Sequence, residues 1–106
     1  MSEIYQIQYM SVAVQPLSHV EIMRLVVKSQ MANFNAGITG TLVYNGGSFF
    51  QIIEGAQADI ENLYAKILKD PRHTRIIKIG ECVIERRNYD RWTLAYLGGD
   101  GISLLK

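Results

Sequence analysis

The sequence predicts an α+β fold, with two helices on one face of a mainly antiparallel sheet. Three observations predict it. Segments rich in β-formers precede, separate and follow two helical segments. The stretch 57–69 carries an unbroken apolar stripe at helical spacing. An Asn45-Gly46-Gly47 turn joins two short strands between the helices. The 106 residues suit one domain, and 48% hydrophobic against 20% charged residues supply a real core.

Taken in order, residues 3–10 form the first strand, with Tyr5, Ile7 and Tyr9 on one face and Ile4, Gln6, Gln8 and Met10 on the other. A capping box then opens the first helix, Ser18 capping forward and Glu21 reaching back three residues later. This helix is expected to run to about Met31 or Ala32. Ile22, Leu25, Val26, Ser29 and Asn33 fall on one face, with Met23, Val27 and Gln30 beside it. A packed face that holds Asn33 is unusual, because a buried amide needs a partner. Asn35-Ala36-Gly37 breaks the helix. Residues 38–44, containing Gly40, and 48–54 form the hairpin, and the second strand sets Gln51 among Phe49, Phe50, Ile52 and Ile53.

The second helix, 57–69, presents Ile60, Leu63, Tyr64, Ile67 and Leu68 as its stripe, and Pro71 stops it. Residues 75–84 and 91–97 are strands, the last with Trp92, Leu94 and Tyr96 on one face, and Glu85-Arg86-Arg87-Asn88 connects them as a solvated corner. The order is that of a ferredoxin-like βαββαβ(β) sandwich. Residues 1–97 make the domain, and 98–106 a C-terminal tail or the start of a linker. The run Gly98-Gly99-Asp100-Gly101 ends the ordered part.

Composition and spacing exclude several classes. Eleven basic against ten acidic residues leave a charge of +1, far from the footprint of a domain held by phosphates. A single cysteine, Cys82, fits a reducing cytoplasm and reads as a small core residue. No stretch is apolar enough to span a membrane, and the N-terminus lacks a signal-peptide pattern. His19 and His73 show no metal-site spacing, and no glycine-rich phosphate loop opens a helix. The chain is expected to be no enzyme.

What remains are polar groups on surfaces that should be dry: Tyr9, Asn33, Gln51 and Trp92. Tyr9 and Gln51 lie on neighbouring central strands in this topology and can meet beneath the helices. Singly, each has a plain reading, a buried tyrosine with some hydroxyl partner or an asparagine C-cap. Together they describe a polar cluster beside a groove between two apolar helix faces, a slot for a flat heteroaromatic ligand.

The chain resembles the BLUF domain, a flavin-binding blue-light sensor module, over nearly its whole length. The resemblance rests on Tyr9-Met10-Ser11, then Ser29-Gln30 and Asn33, then Gly37-Ile38-Thr39-Gly40. It continues through Phe49-Phe50-Gln51-Ile52-Ile53-Glu54-Gly55 and Asp70-Pro71-Arg72-His73, and ends in Arg86-Arg87, Tyr89 and Trp92. It implies that Tyr9 donates an electron to the excited flavin and that Gln51 lies between this hydroxyl and flavin N5 and C4=O. Asn33 would hold the ring's polar edge, Arg72 would lie near C2=O or the ribityl-phosphate side, and Leu25 and Ile67 would sandwich the ring. Ser29 and His73 fall among the implied flavin-binding residues. Lys66 reads either as a phosphate contact or as a solvated lysine. The implied relay is Trp92 with Leu94, where the family commonly has Trp-x-Met, and Ala32 stands where some members have asparagine. The implied cofactor is FAD, with FMN or riboflavin as other forms. Implied partners are a fused effector, a partner protein or a second copy, with neither nucleic acid nor membrane.

Two other classes share this topology. An RNA-binding module would stack bases on Tyr5, Tyr9, Phe49 and Phe50, but the basic glycine-aromatic signature is absent. An amino-acid-binding regulatory domain would take its ligand at a dimer interface. A yellow protein with flavin absorption separates the three.

Overall fold

The capping box closes as the sequence requires: the Ser18 N–H donates to Glu21 Oε1 at 2.9 Å and the Glu21 N–H to Ser18 Oγ at 3.2 Å. The helix it starts, α1, runs His19–Asn35. It therefore extends past Met31 and Ala32, because nothing stops it before Gly37, which takes φ +68°. Asn33 is thus an interior residue of the last turn, and the C-cap is Ala36.

The computed structural model describes residues 3–98 and 101–105, with side chains through residue 94. Around α1 stand β1 (Ile4–Ala13), β2 (Thr39–Asn45), β3 (Ser48–Gly55), α2 (Gln57–Lys69), β4 (His73–Ile84), β5 (Trp92–Gly98) and β6 (Gly101–Leu105). The sheet order is β4-β1-β3-β2-β5-β6, antiparallel except for the parallel β2–β5 pair. This is the expected ferredoxin-like arrangement. Two features go beyond it. First, β4 begins at His73, where register shifts against β1 and the positive φ of Arg75 accommodate extra residues. Second, β6 pairs antiparallel with β5, so the ordered chain does not end at the glycine run. The short segment Gly101–Leu105 supplies an edge strand. Gly99, Asp100 and the Tyr96 side chain lie outside the described residues.

Alternation divides the sheet faces. Ile7, Tyr9, Phe49, Gln51, Ile53, Trp92 and Leu94 are buried. They form two cores rather than one. Ile22 and Val26 of α1 pack with Leu42, Tyr44, Phe49, Trp92 and Leu94. Ile60 of α2 packs with Ile7, Ile38 and Ile53. Each fully buried aliphatic side chain contributes about 1.5–3 kcal/mol. Because each helix is anchored on its own half of the sheet, a gap remains between them.

The close packing of β2 on its neighbours depends on Gly40. It adopts φ +147°, and a Cβ there would lie 1.9 Å from the Ile52 carbonyl oxygen. Gly40 is also the register partner of both Ile53 and Trp92. Any side chain would push β3 away from β2.

Candidate functional site

The gap between the helices is an open cavity of about 290 Å³. Its floor comes from the sheet, through Tyr9, Leu42, Phe49, Gln51 and Trp92. Leu25, Ser29 and Asn33 of α1 form one wall, and Leu63, Lys66 and Ile67 of α2 the other. Asp70, Arg72 and His73 close one end.

On the floor, Tyr9 and Gln51 are register partners across β1 and β3, which puts both side chains on the helix-facing side. Gln51 is held at both ends of its amide. Its Oε1 accepts from Trp92 Nε1 at 2.9 Å, and its Nε2 donates to the Tyr9 hydroxyl oxygen. An indole N–H can only donate, so the carbonyl end must face Trp92 and the NH₂ end must face Tyr9. Turning the amide over would set the NH₂ against the indole N–H and offer the carbonyl to the Tyr9 O–H. The site thus holds one of two amide orientations through Trp92. Burial pushes the Tyr9 pKa well above the ordinary tyrosine range, and the Gln51 hydrogen bond opposes this.

His73 is fixed as firmly. Its Nε2 donates to the Ile67 carbonyl at 2.6 Å, and Nδ1 meets Ser11 Oγ at 2.7 Å. The ring stands edge-on to Tyr9 and Phe49, ties α2 to β1, and sets the cavity's end wall. Arg72 is a half-exposed cation clamped by Asp70, whose oxygens its Nε approaches at 3.0 and 3.1 Å. The guanidinium holds the Asp70 carboxyl below its usual range. Asn33 is only 5% exposed, yet no hydrogen bond of its amide is found among the described residues. Since no fully covered side-chain nitrogen or oxygen there lacks a partner, its amide opens into the cavity it lines.

Of the expected site residues, the fold brings Tyr9, Gln51, Trp92, Leu25, Ser29, Asn33, Lys66, Ile67, Arg72 and His73 to this one cavity. Leu94 is not among its lining residues. It is fully buried in the α1 core, opposite Leu42 on β2, which itself pairs with Gln51 on β3. Among the described side chains of β5, the long indole of Trp92 is the one that bridges to Gln51.

Sequence reasoning missed Lys28. Leu25, Lys28, Ser29, Ala32 and Asn33 are spaced i, i+3, i+4, i+7 and i+8, so the apolar stripe already carried a cation toward the ligand side. Two other expectations are corrected. Cys82 is exposed on the edge strand β4 rather than in the core. Arg87 is no solvated corner: its guanidinium donates to Gly37 O at 2.7 Å, Thr39 Oγ1 at 2.8 Å and Glu54 O at 3.0 Å. The Glu54 carboxylate, fully buried, accepts from Gln6 Nε2 and from the Asn88 and Tyr89 N–H groups. These bonds fasten the β4–β5 connection just before Trp92.

Comparison with known families matches residues 4–95 to BLUF, described as sensors of blue-light using FAD. The chain belongs to the BLUF family. A photoactivated adenylate cyclase subunit beta of Euglena longa is 36% identical over 94 residues, covering 88% of this chain and 11% of that protein. A bacterial light-regulated adenylyl cyclase superposes with a TM-score of 0.85 at 35% identity, covering 89% of this chain and 28% of the other. BlrP1 of Klebsiella pneumoniae, solved with FMN and cyclic diGMP, gives 0.79 at 29% identity and covers 92% and 28%. This BLUF chain therefore spans about a tenth of the cyclase subunit's length and over a quarter of those solved chains. Among the described residues no helix is long and apolar enough to cross a membrane, and no cluster of His, Cys, Asp or Glu is placed to hold a metal ion.

The cavity fits the flavin that the family binds. Leu25 on one wall and Leu63 and Ile67 on the other are apolar, an unpartnered asparagine amide opens into it from α1, and Lys28, Lys66 and Arg72 line it as cations. A flat ring with one polar edge and an anionic tail satisfies all three.

Proposed function

We propose that this BLUF domain is a blue-light sensor that holds FAD non-covalently and reads light through the Tyr9–Gln51–Trp92 hydrogen-bond chain. The single observation that supports this most is the fixed amide of Gln51, held between an obligate donor and a hydroxyl on the cavity floor. When bound, the flavin supplies a blue-absorbing oxidant in its excited state. Asn33 would hold the ring's polar edge, Leu25 and Ile67 its faces, and Ser29 and His73 its surroundings. Tyr9 gives up an electron and a proton and takes both back, so nothing is consumed. Gln51 turns during that cycle, losing the Trp92 hydrogen bond and gaining the Tyr9 O–H. Each hydrogen bond is worth about 1 kcal/mol net, enough to shift a balanced pair of states.

Trp92 carries the change to β5, with Leu94 in the core behind it. The signal then leaves for a fused effector or a partner protein. The sheet face away from the helices supports that reading, since its Met10 and Ile77, paired across β1 and β4, are both exposed apolar residues.

The test is spectroscopic. Purified protein should release a flavin on heating and show a reversible red shift of its absorption band under blue light. Tyr9→Phe and Gln51→Leu should keep the flavin and lose the shift, whereas Asn33→Ala should weaken retention. A normal shift in Gln51→Leu would sink the mechanism.

A further inference from the structure

One edge of the sheet is β4, twelve residues that pair, among the described residues, with β1 alone. None of the twelve is buried, and Ile77 and Val83 are aliphatic yet 64% and 51% exposed. The helix α2 packs over β1 and β3. It reaches β4 through the Ile67 carbonyl on His73 and through Tyr64, whose ring centre lies 5.0 Å from Lys78 Nζ. The strand holds no proline. A long edge of this kind offers its free N–H and C=O groups as a template for another strand.

A bulge decides which strand fits. Tyr9 pairs with Lys78 and Gln8 with Gly80, so Ile79 is an extra residue without a partner on β1. Lys78, Glu81 and Val83, opposite Tyr9, Ile7 and Tyr5, therefore face the helices. Ile77, Gly80 and Cys82, opposite Met10, Gln8 and Gln6, face away. Two copies of β4 paired antiparallel about a two-fold axis normal to the sheet must oppose residues of the same face. In a regular strand, positions 78 and 81 face opposite sides and cannot be opposed. The bulge permits it. With the axis between Ile79 and Gly80, Lys78 meets the partner's Glu81, and Glu81 the partner's Lys78. Ile77 then meets the partner's Cys82 on the outer face, and Val83 the partner's Ile76 on the helix side. Gly80 leaves room for the partner's Ile79, since a Cβ there would have only Gln8 Cδ nearby, at 4.0 Å.

We propose that β4 is an interface for a second copy of this chain, which joins it in that register to make one sheet continuous through both domains. A lysine and a bulge on an edge strand are also the means by which edges refuse partners. Here each is complementary to its own image across the axis. Lys78 Nζ already lies 2.9 Å from Glu81 Oε1 within the chain, so the two copies bring four charges of alternating sign together. The half-exposed Ile77 and Val83 gain apolar neighbours at the same time. A pairing confined to one strand belongs with small, weak interfaces, with a Kd of about 100 µM. It needs no flavin, and of β4 only His73 lines the cavity between the helices.

The experiment is sedimentation velocity on the full chain from about 5 µM to about 1 mM. The parent should show a reversible monomer–dimer equilibrium, and a monomer at every concentration overturns the interface. Lys78→Glu sets like charges opposite each other twice and should weaken dimerisation about tenfold. Adding Glu81→Lys to that variant exchanges the signs and should restore the parent's dimer. A dimer indifferent to Lys78→Glu, or one the exchange fails to restore, overturns the register and points to another face, such as that of Met10. A second measurement does not depend on charge. Ile77→Cys places a thiol opposite the partner's Cys82, at a separation a disulfide spans. Under mild oxidation this variant should become a covalent dimer. Thr74→Cys, which the register sets opposite the partner's Glu85, should cross-link no more than the parent. Equal cross-linking of both variants, or none in Ile77→Cys, overturns the pairing.

Discussion

At the scale of single residues, the site is governed by what each polar atom is able to do. Trp92 fixes Gln51 because its N–H has no acceptor capacity, so replacing it should expose that dependence. Trp92→Phe leaves one end of the buried Gln51 amide unpaired whichever way it turns, which costs about 2 kcal/mol in a urea unfolding series. In the double variant with Gln51→Leu the unpaired amide is gone, and its loss should fall short of the sum of the two single losses by at least about 0.5 kcal/mol. Strict additivity would mean the hydrogen bond carries nothing. Tyr9 makes a pH prediction. Its pKa is raised by burial, so the folded chain keeps the proton beyond the ordinary tyrosine value of about 10, while the unfolded chain ionises there. The stabilisation from this neutral hydroxyl is complete below about pH 10 and declines as pH rises above it. The light-induced shift should accordingly keep its amplitude up to about pH 10. A signal that disappears with a lower midpoint, in protein still folded, contradicts the buried hydroxyl.

At the scale of elements, the β4–β5 connection is the piece whose importance exceeds its appearance. Arg87 reaches the Gly37 and Glu54 carbonyls and Thr39, and Glu54 gathers two loop N–H groups. The connection is therefore bolted to β2, β3 and the end of α1, and β5 starts from a fixed point. Arg87→Leu removes three charge-assisted hydrogen bonds and should cost about 2–4 kcal/mol in thermal or urea unfolding. It should also speed hydrogen exchange in 88–94 more than in α2. Uniform acceleration across both segments would show a general loss of stability instead. The same bolting explains why Arg86-Arg87 looked like a solvated corner: a charge pair in a connecting segment carries no sign, along the chain, of the carbonyls that folding brings to it.

At the scale of the whole molecule, two half-cores and the gap between them decide where a ligand sits. Among the described residues the cavity is lined by ones between Tyr9 and Trp92, and β6 pairs with β5 at the far end of the sheet order. A chain truncated after Gly98 should bind flavin with unchanged affinity in a flavin-fluorescence titration. Its β5 amides should exchange faster, because the β5–β6 ladder is lost. Weakened flavin binding in that variant would tie the edge strand to the site.

Sequence alone determined the elements whose cause is local. The Ser18–Glu21 box, the stripe of α2 and the Asn45-Gly46-Gly47 hairpin need only neighbouring residues, and α2 spans Gln57–Lys69 as its stripe predicts. Side-chain alternation also put Tyr9 and Gln51 on buried faces, because period two is a property of the strand itself. Tertiary structure decided the rest. The Gln51 orientation depends on an indole from β5, the fit of β2 on Gly40 depends on the Ile52 carbonyl, and Lys28 lines the cavity only when α1 is set beside Arg72. These are contacts between distant segments, whose distances and donor partners exist only once the chain has closed around them.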